Sequence, residues 1–166
     1  MMKFKISMIS IVSVVLLTIG FISIYISATK PVKTGETKAI ERAEKETNLV
    51  SVTSVDWFHY TDSYYVIKGK NDKDKEIFVW VPEDAKKDII VKEKNEGMSE
   101  KELLNFVRGG LITLSNDKKP KEIIRVKLGM VENAPAYEIT YRDQEDRYSI
   151  LYVDFYSGEW YRVYNL

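Results

Sequence analysis

The chain opens on one long apolar run. From Ile6 to Ile26 it reads ISMISIVSVVLLTIGFISIYI, 21 residues without a charge. As a helix rising ~1.5 Å per residue this stretch is roughly 31 Å long, which matches the hydrocarbon core of a bilayer. Signal peptides usually carry a shorter apolar run of about 7–15 residues, and Ile26-Ser27-Ala28 is a poor cleavage site. The pattern predicts a retained span, with a cleaved signal peptide as the alternative. Lys3, Lys5 and the amino terminus favour a cytoplasmic tail, although Lys30, Lys33 and Lys38 beyond the other end pull against that orientation. Residues 1–28 are thus expected to be a cytoplasmic tail and transmembrane anchor. Residues 29–36 form a tether marked by the breakers Pro31 and Gly35.

Beyond the tether the apolar period changes twice. Ala39, Ile40, Ala43 and Thr47 recur at helical spacing in a charged stretch, predicting an amphipathic helix over roughly 36–48. Strand signals follow in LVSVTSVDWFHY, SYYVIKG, EIFVWV and DIIVK, rich in β-branched and aromatic residues and separated by polar turns such as KNDKDK. The same order then returns. Ser99 and Glu102 form a capping box ahead of Leu103, Leu104 and Val107, and Gly109-Gly110 closes that helix. Four more strands follow: KEIIRVKLGMV, AYEITYR, RYSILYVDF and EWYRVY.

A shift of 72 residues places Tyr137 on Tyr65, Ile139 on Ile67, Asp146 on Asp74, Tyr152 on Trp80 and Val163 on Val91. Two small α+β domains are expected, 37–93 and 94–166, each a helix packed on an antiparallel sheet. Strand alternation in the second sends Tyr137, Ile139, Tyr141, Leu151, Val153, Phe155, Tyr161 and Val163 to the helix side.

Composition removes several functions. Beyond residue 30 the chain carries 22 basic groups against 25 acidic ones, which argues against nucleic acid as a partner. With no cysteine there is neither a disulfide framework nor a thiolate nucleophile. No cofactor is expected. Asp154, Ser157 and Glu159 lie close together near the C-terminus. However, the only histidine, His59, belongs to the other repeat, and Ser157-Gly158 has the makings of a tight turn. These residues are expected to shape the hairpin rather than to catalyse. His59 lacks neighbours for a metal site, and the pairs Glu83-Asp84 and Glu145-Asp146 sit in solvated turns that would not raise a carboxyl pKa. No catalytic or metal residues are assigned, and the protein is not expected to be an enzyme.

The other sheet face is the exception. Tyr148, Ile150, Tyr152, Tyr156, Trp160 and Tyr164 alternate opposite the core set, and Tyr64, Val66, Phe78 and Trp80 repeat the theme in the first copy. Large aromatics cover about 150–250 Å² each, so together they form an extensive apolar surface. Either the two domains pack these faces together, or one face binds a partner; the partner-binding candidates are Tyr148, Tyr152, Tyr156, Trp160 and Tyr164.

The YEI strand, the YVD strand and the SGE turn into an aromatic last strand resemble the PepSY type of domain. With the N-terminal anchor and the DWFHY, YYVIKG and EIFVWVPE segments, the chain resembles the TseB family of bacterial cell wall elongation regulators across nearly its full length. That resemblance implies two PepSY-like or cystatin-like domains outside the membrane of a Gram-positive cell. It also implies a single-pass protein of the cell membrane whose partner is a class B penicillin-binding protein or another wall-synthesis membrane protein. The PepSY likeness equally implies an alternative, an inhibitor or chaperone of a secreted peptidase.

Overall fold

The computed structural model describes residues 2–109 and 114–166; side chains 2–13 and 26–32 lie outside the description. The chain divides into two units, residues 1–38 and 39–166. The first is helical throughout its described length, as the leading part of helix α1, Met2–Glu46. The helix is continuous where a tether was expected at 29–36: an α-helix can pass through a proline at the loss of one intrahelical hydrogen bond. From Val14 to Tyr25 the apolar side chains are exposed all round, between 50% for Val15 and 72% for Phe21. The Thr18 hydroxyl donates to the Val14 carbonyl at 2.8 Å, so it needs no outside partner. Among the described residues no helix is long and apolar enough to cross a membrane. The expected span Ile6–Ile26 extends at both ends into side chains outside the description.

The second unit is α+β, with two antiparallel four-stranded sheets. The first sheet runs in the order β1 Leu49–His59, β2 Ser63–Asn71, β3 Glu76–Pro82 and β4 Ile90–Glu93. The last turns of α1 lie on one face of it. Ala39 and Ala43, which bring backbone close to backbone, are buried with Tyr65, Ile67, Ile77, Val79 and Val81. Arg42 fastens the helix by donating to the carbonyls of Pro82 at 3.2 Å and Lys87 at 2.8 Å.

Helix α2, Glu100–Gly109, then precedes the second sheet. Its start is the expected capping box: the Ser99 amide donates to Glu102 Oε2 at 2.8 Å, and the Glu102 amide to Ser99 Oγ at 3.3 Å. Losing this cap in Ser99→Ala should cost about 0.5–2 kcal/mol in a urea titration. Leu103 and Val107 point inward. Gly110, the second half of the expected helix stop, lies outside the described residues. Strands β5 Pro120–Val131, β6 Ala134–Asp143, β7 Tyr148–Asp154 and β8 Trp160–Asn165 complete the sheet in that order.

The repeat holds at the level of pairing. A shift of 72 carries Ile67 opposite Val79 onto Ile139 opposite Leu151, and Val79 opposite Val91 onto Leu151 opposite Val163. The β2–β3 and β6–β7 turns also match. Asn71 Oδ1 accepts the amides of Lys73 and Lys75, both at 3.0 Å, and Asp143 Oδ1 accepts those of Glu145 and Arg147, both at 2.9 Å. Asp74 and Asp146 each take a positive φ there, 58° and 62°. Strand β5 sits one residue out of this register. Its hairpin turns on Glu132-Asn133, with φ 49° and 66°, whereas the first copy uses Tyr60-Thr61-Asp62.

The two halves share one core. Phe58, Tyr64, Val66 and Trp80, on the face of the first sheet away from α1, are buried together with Leu103, Leu128, Met130, Tyr137, Ile139, Leu151, Val153 and Phe155. Trp80 is fully buried, donates its indole N–H to the Gly129 carbonyl at 2.8 Å, and meets Phe155 edge-on at 5.8 Å. Gly129 has no side chain because the Phe58 ring occupies the place a Cβ would take. The aromatic face of the first copy is therefore interdomain core.

Candidate functional site

The cluster at Asp154 is a turn. Asp154 Oδ1 accepts the amides of Tyr156 at 2.9 Å and Ser157 at 2.7 Å and the Ser157 hydroxyl at 3.0 Å, while Oδ2 accepts the Tyr161 hydroxyl at 2.5 Å. Ser157 Oγ in turn accepts the Glu159 amide at 3.1 Å, and Gly158 takes φ 76°. The serine hydroxyl thus faces a carboxylate that is already saturated with donors. Burial is the largest single influence on Asp154 and pushes its pKa up. Hydrogen bonds from the Ser157 amide, the Tyr161 and Ser157 hydroxyls and the Tyr156 amide outweigh it and hold the carboxyl below the usual range.

A lowered folded value contributes stability that is complete above the ordinary carboxylate range, ~4, and is lost as pH falls through the folded value. Asp154→Asn should therefore remove part of the loss of melting temperature between neutral pH and pH ~3. Ser157→Ala should cost at most about 1–2 kcal/mol in a urea titration.

His59 is exposed, with Nδ1 3.0 Å from Ser63 Oγ and its ring stacked on Trp57 at 5.9 Å. Glu83 accepts the Trp57 indole N–H at 3.1 Å, and Glu145 and Asp146 pair with Arg147 and Lys121 at 2.9 and 2.7 Å. Among the described residues no group of three or more metal-ligating side chains converges. A cleft of ≈ 370 Å³ opens between the sheets, lined in part by Lys68, Phe78, Met98, Leu128 and Tyr137. Several of its polar groups are engaged: Lys94 holds Glu76 at 2.9 Å, and the Tyr137 hydroxyl donates to the Met98 carbonyl at 2.7 Å. Burial, aided by the Glu100 charge, pushes the Tyr137 pKa up to about 12, so the phenol stays protonated.

The aromatic surface of the second copy is only partly where alternation placed it. Tyr148 and Tyr164, 45% and 39% exposed, share the open face with Ile150, which lies opposite Tyr164. Tyr152 lies on that face too but is buried. It donates to Glu138 Oε2 at 3.0 Å, and the rings of Tyr60 and Tyr164 cover it edge-on at 5.1 and 6.1 Å. Trp160 and Tyr161 are exchanged relative to expectation. A register irregularity puts Arg162 opposite Tyr152 and Trp160 opposite Val153, so Trp160 packs on the core and Tyr161 is 43% exposed. Tyr156 is exposed but stands apart in the turn after β7, against Phe155 at 5.0 Å and beneath Lys92 at 5.7 Å.

The face also holds residues that following the aromatics alone misses. The Arg142 guanidinium lies 3.5 Å over the Tyr148 ring. Arg162 donates from one nitrogen to the hydroxyls of both Tyr60, at 3.2 Å, and Tyr164, at 3.1 Å. The hydrogen bond from Arg162, followed by the one with Tyr60, holds the Tyr164 hydroxyl below the usual tyrosine range. Arg125 approaches Glu138 at 3.6 Å. Period-two alternation along β6 and β8 is the signal that places Arg142 and Arg162 beside the tyrosines. Tyr60 comes from the one-residue difference between the two hairpins.

Comparison with known proteins completes the picture. The family model for a cell wall elongation regulator TseB-like domain matches residues 38–82. A Bacillus subtilis (strain 168) protein named "probable cell wall elongation regulator TseB" is 38% identical over 138 residues, covering 82% of this chain and 81% of its own. The solved structure of the YpmB protein from Bacillus subtilis matches with a TM-score of 0.70 at 33% identity, over 78% of this chain and 96% of that one. With 38% identity over 82% of its length, the chain belongs to the TseB family of cell wall elongation regulators.

Proposed function

We propose that this protein is a membrane-anchored, extracytoplasmic regulator that binds a class B penicillin-binding transpeptidase and modulates cell wall elongation without catalysing a reaction. The observation carrying this reading is the open face of the second sheet, where Tyr148 and Tyr164 stay exposed while the matching face of the first sheet is consumed as core. Tyrosine and arginine are the usual anchors of protein interfaces. The family's name as elongation regulators supplies the process. The apolar side chains exposed around the helix from Val14 to Tyr25 support a membrane anchor, because water is a poor solvent for such a surface. The engaged state of the Asp154, Ser157 and Tyr137 side chains supports a role through binding.

An anchored partner suits an anchored regulator, since confinement to one membrane raises effective concentration and lets a modest interface suffice. The test is crosslinking of the full-length protein in intact membranes, affinity capture, and identification of the captured chain by mass spectrometry. A class B transpeptidase is the expected product. Recovery of a secreted peptidase, with inhibition of that peptidase by the purified protein, would replace this reading with that of an inhibitor.

A further inference from the structure

The chemistry of the open face narrows what can bind there, given the reading of that face as the partner surface. The sheet register arranges its side chains in rows. Glu122, Arg142 and Tyr148 form one row; Arg125, Thr140, Ile150 and Tyr164 form the next; and Lys127, Glu138, Tyr152 and Arg162 the last. An apolar strip of Tyr148, Ile150 and Tyr164 is therefore bordered by cations on both sides. Lys127, Arg125, Arg142 and Arg162 supply four positive charges against two negative ones, Glu138 and Glu122, the latter opposite Arg142. The Glu138 carboxylate is already spent on the Tyr152 hydroxyl and Arg125.

The body of the protein is mildly acidic, with 25 acidic against 22 basic groups beyond residue 30, so this face runs counter to the rest of the surface. Among the described residues no carboxylate pairs with Arg142 or Arg162. Both guanidiniums are nevertheless held in place, one on the Tyr148 ring and by donation to the Asp146 carbonyl at 2.7 Å, the other by two phenol oxygens. A guanidinium has five N–H donors in a fixed fork, so each keeps donors for a ligand without having to order a long side chain first. This is preorganised binding capacity for carboxylates.

We propose that this face binds an acidic segment of the protein partner, in which an apolar side chain seats on Tyr148, Ile150 and Tyr164 and flanking carboxylates pair with Arg142 and Arg162. The apolar centre selects a peptide over a purely anionic polymer, which would leave that strip uncovered. A second copy of the chain is disfavoured, because it would bring the same cations against themselves.

The probe is a fluorescein-labelled peptide, Glu-Glu-Val-Phe-Val-Glu-Glu, titrated with the full-length protein in detergent micelles and followed by fluorescence anisotropy. Binding should weaken as salt rises. It should fall by at least about tenfold in Arg142→Gln/Arg162→Gln, with an unchanged thermal melt confirming the fold. The Lys variant at both positions should fall between, since it keeps the charge and loses the fork. Equal binding of the counterpart with Gln at every Glu, or no binding up to millimolar peptide, would overturn the proposal. Competition by inorganic polyphosphate as strong as that by the peptide would also overturn it, in favour of an anionic polymer. The same double variant in the membrane crosslinking experiment separates the two readings. Undiminished transpeptidase capture would sink the acidic-segment proposal alone, whereas peptide binding with no transpeptidase captured by the unaltered protein would sink the proposed partner alone.

Discussion

Replacing Trp80 by alanine should destabilise residues 39–166 by about 3–5 kcal/mol, the range for deleting a fully buried Trp or Phe side chain. Trp80 is 0% exposed, lies edge-on to both Phe78 and Phe155, and closes the contact between the sheets. Alanine leaves a cavity at the junction and an unmatched carbonyl at Gly129, whose hydrogen bond from the indole is 2.8 Å long. Trp80→Phe separates these effects: it keeps most of the packing and loses the hydrogen bond, so its cost should lie nearer 1–3 kcal/mol. Chemical denaturation monitored by circular dichroism measures both. A Trp80→Ala protein as stable as the unaltered one would mean that the sheets do not depend on this contact. Two separate transitions in the variant would show the halves uncoupling.

The second large effect concerns binding. Tyr148→Ser combined with Tyr164→Ser should reduce capture of the proposed transpeptidase partner from membranes by the equivalent of about 2–4 kcal/mol, the usual scale for aromatic hot spots. Both side chains are substantially exposed, and the Tyr164 hydroxyl is held at the surface by Arg162 and Tyr60, so the fold should tolerate the change. An unchanged melting curve alongside lost capture is the expected pair of results. Unchanged capture would move the interface elsewhere. Trp160→Ser belongs to a different class of experiment, because Trp160 packs against the core and its loss should register in stability first.

Strand alternation made much of this architecture readable in advance. Ile139, Tyr141, Leu151, Val153 and Phe155 are all buried as their alternate spacing implies, and the Ser99–Glu102 cap forms where the residue types place it. The 72-residue shift anticipates the shared pairing of β2–β4 and β6–β8. What period-two reading cannot see is a change of phase within a strand. The irregularity between Tyr152 and Val153 moves Trp160 and Tyr161 to each other's expected side, and no turn residue announces it. Nor can local pattern reveal that Tyr152 is covered, since the covering ring, Tyr60, lies 92 residues earlier in the chain. Two-domain reading was equally limited: each half shows a helix and a sheet, but whether their second faces meet depends on contacts between distant residues.

The shared core gives the duplication an unusual end state. Two copies of a small fold ordinarily remain separable modules that can be exchanged, deleted or expressed alone. Here a cut near residue 93 would strip Phe58, Tyr64, Val66 and Trp80 of their cover on one fragment and Phe155, Leu128 and Met130 on the other. Each fragment would present to water a surface built for burial. The repeats are thus expected to be mutually obligate: although the sequence still records two units, they should unfold in a single transition.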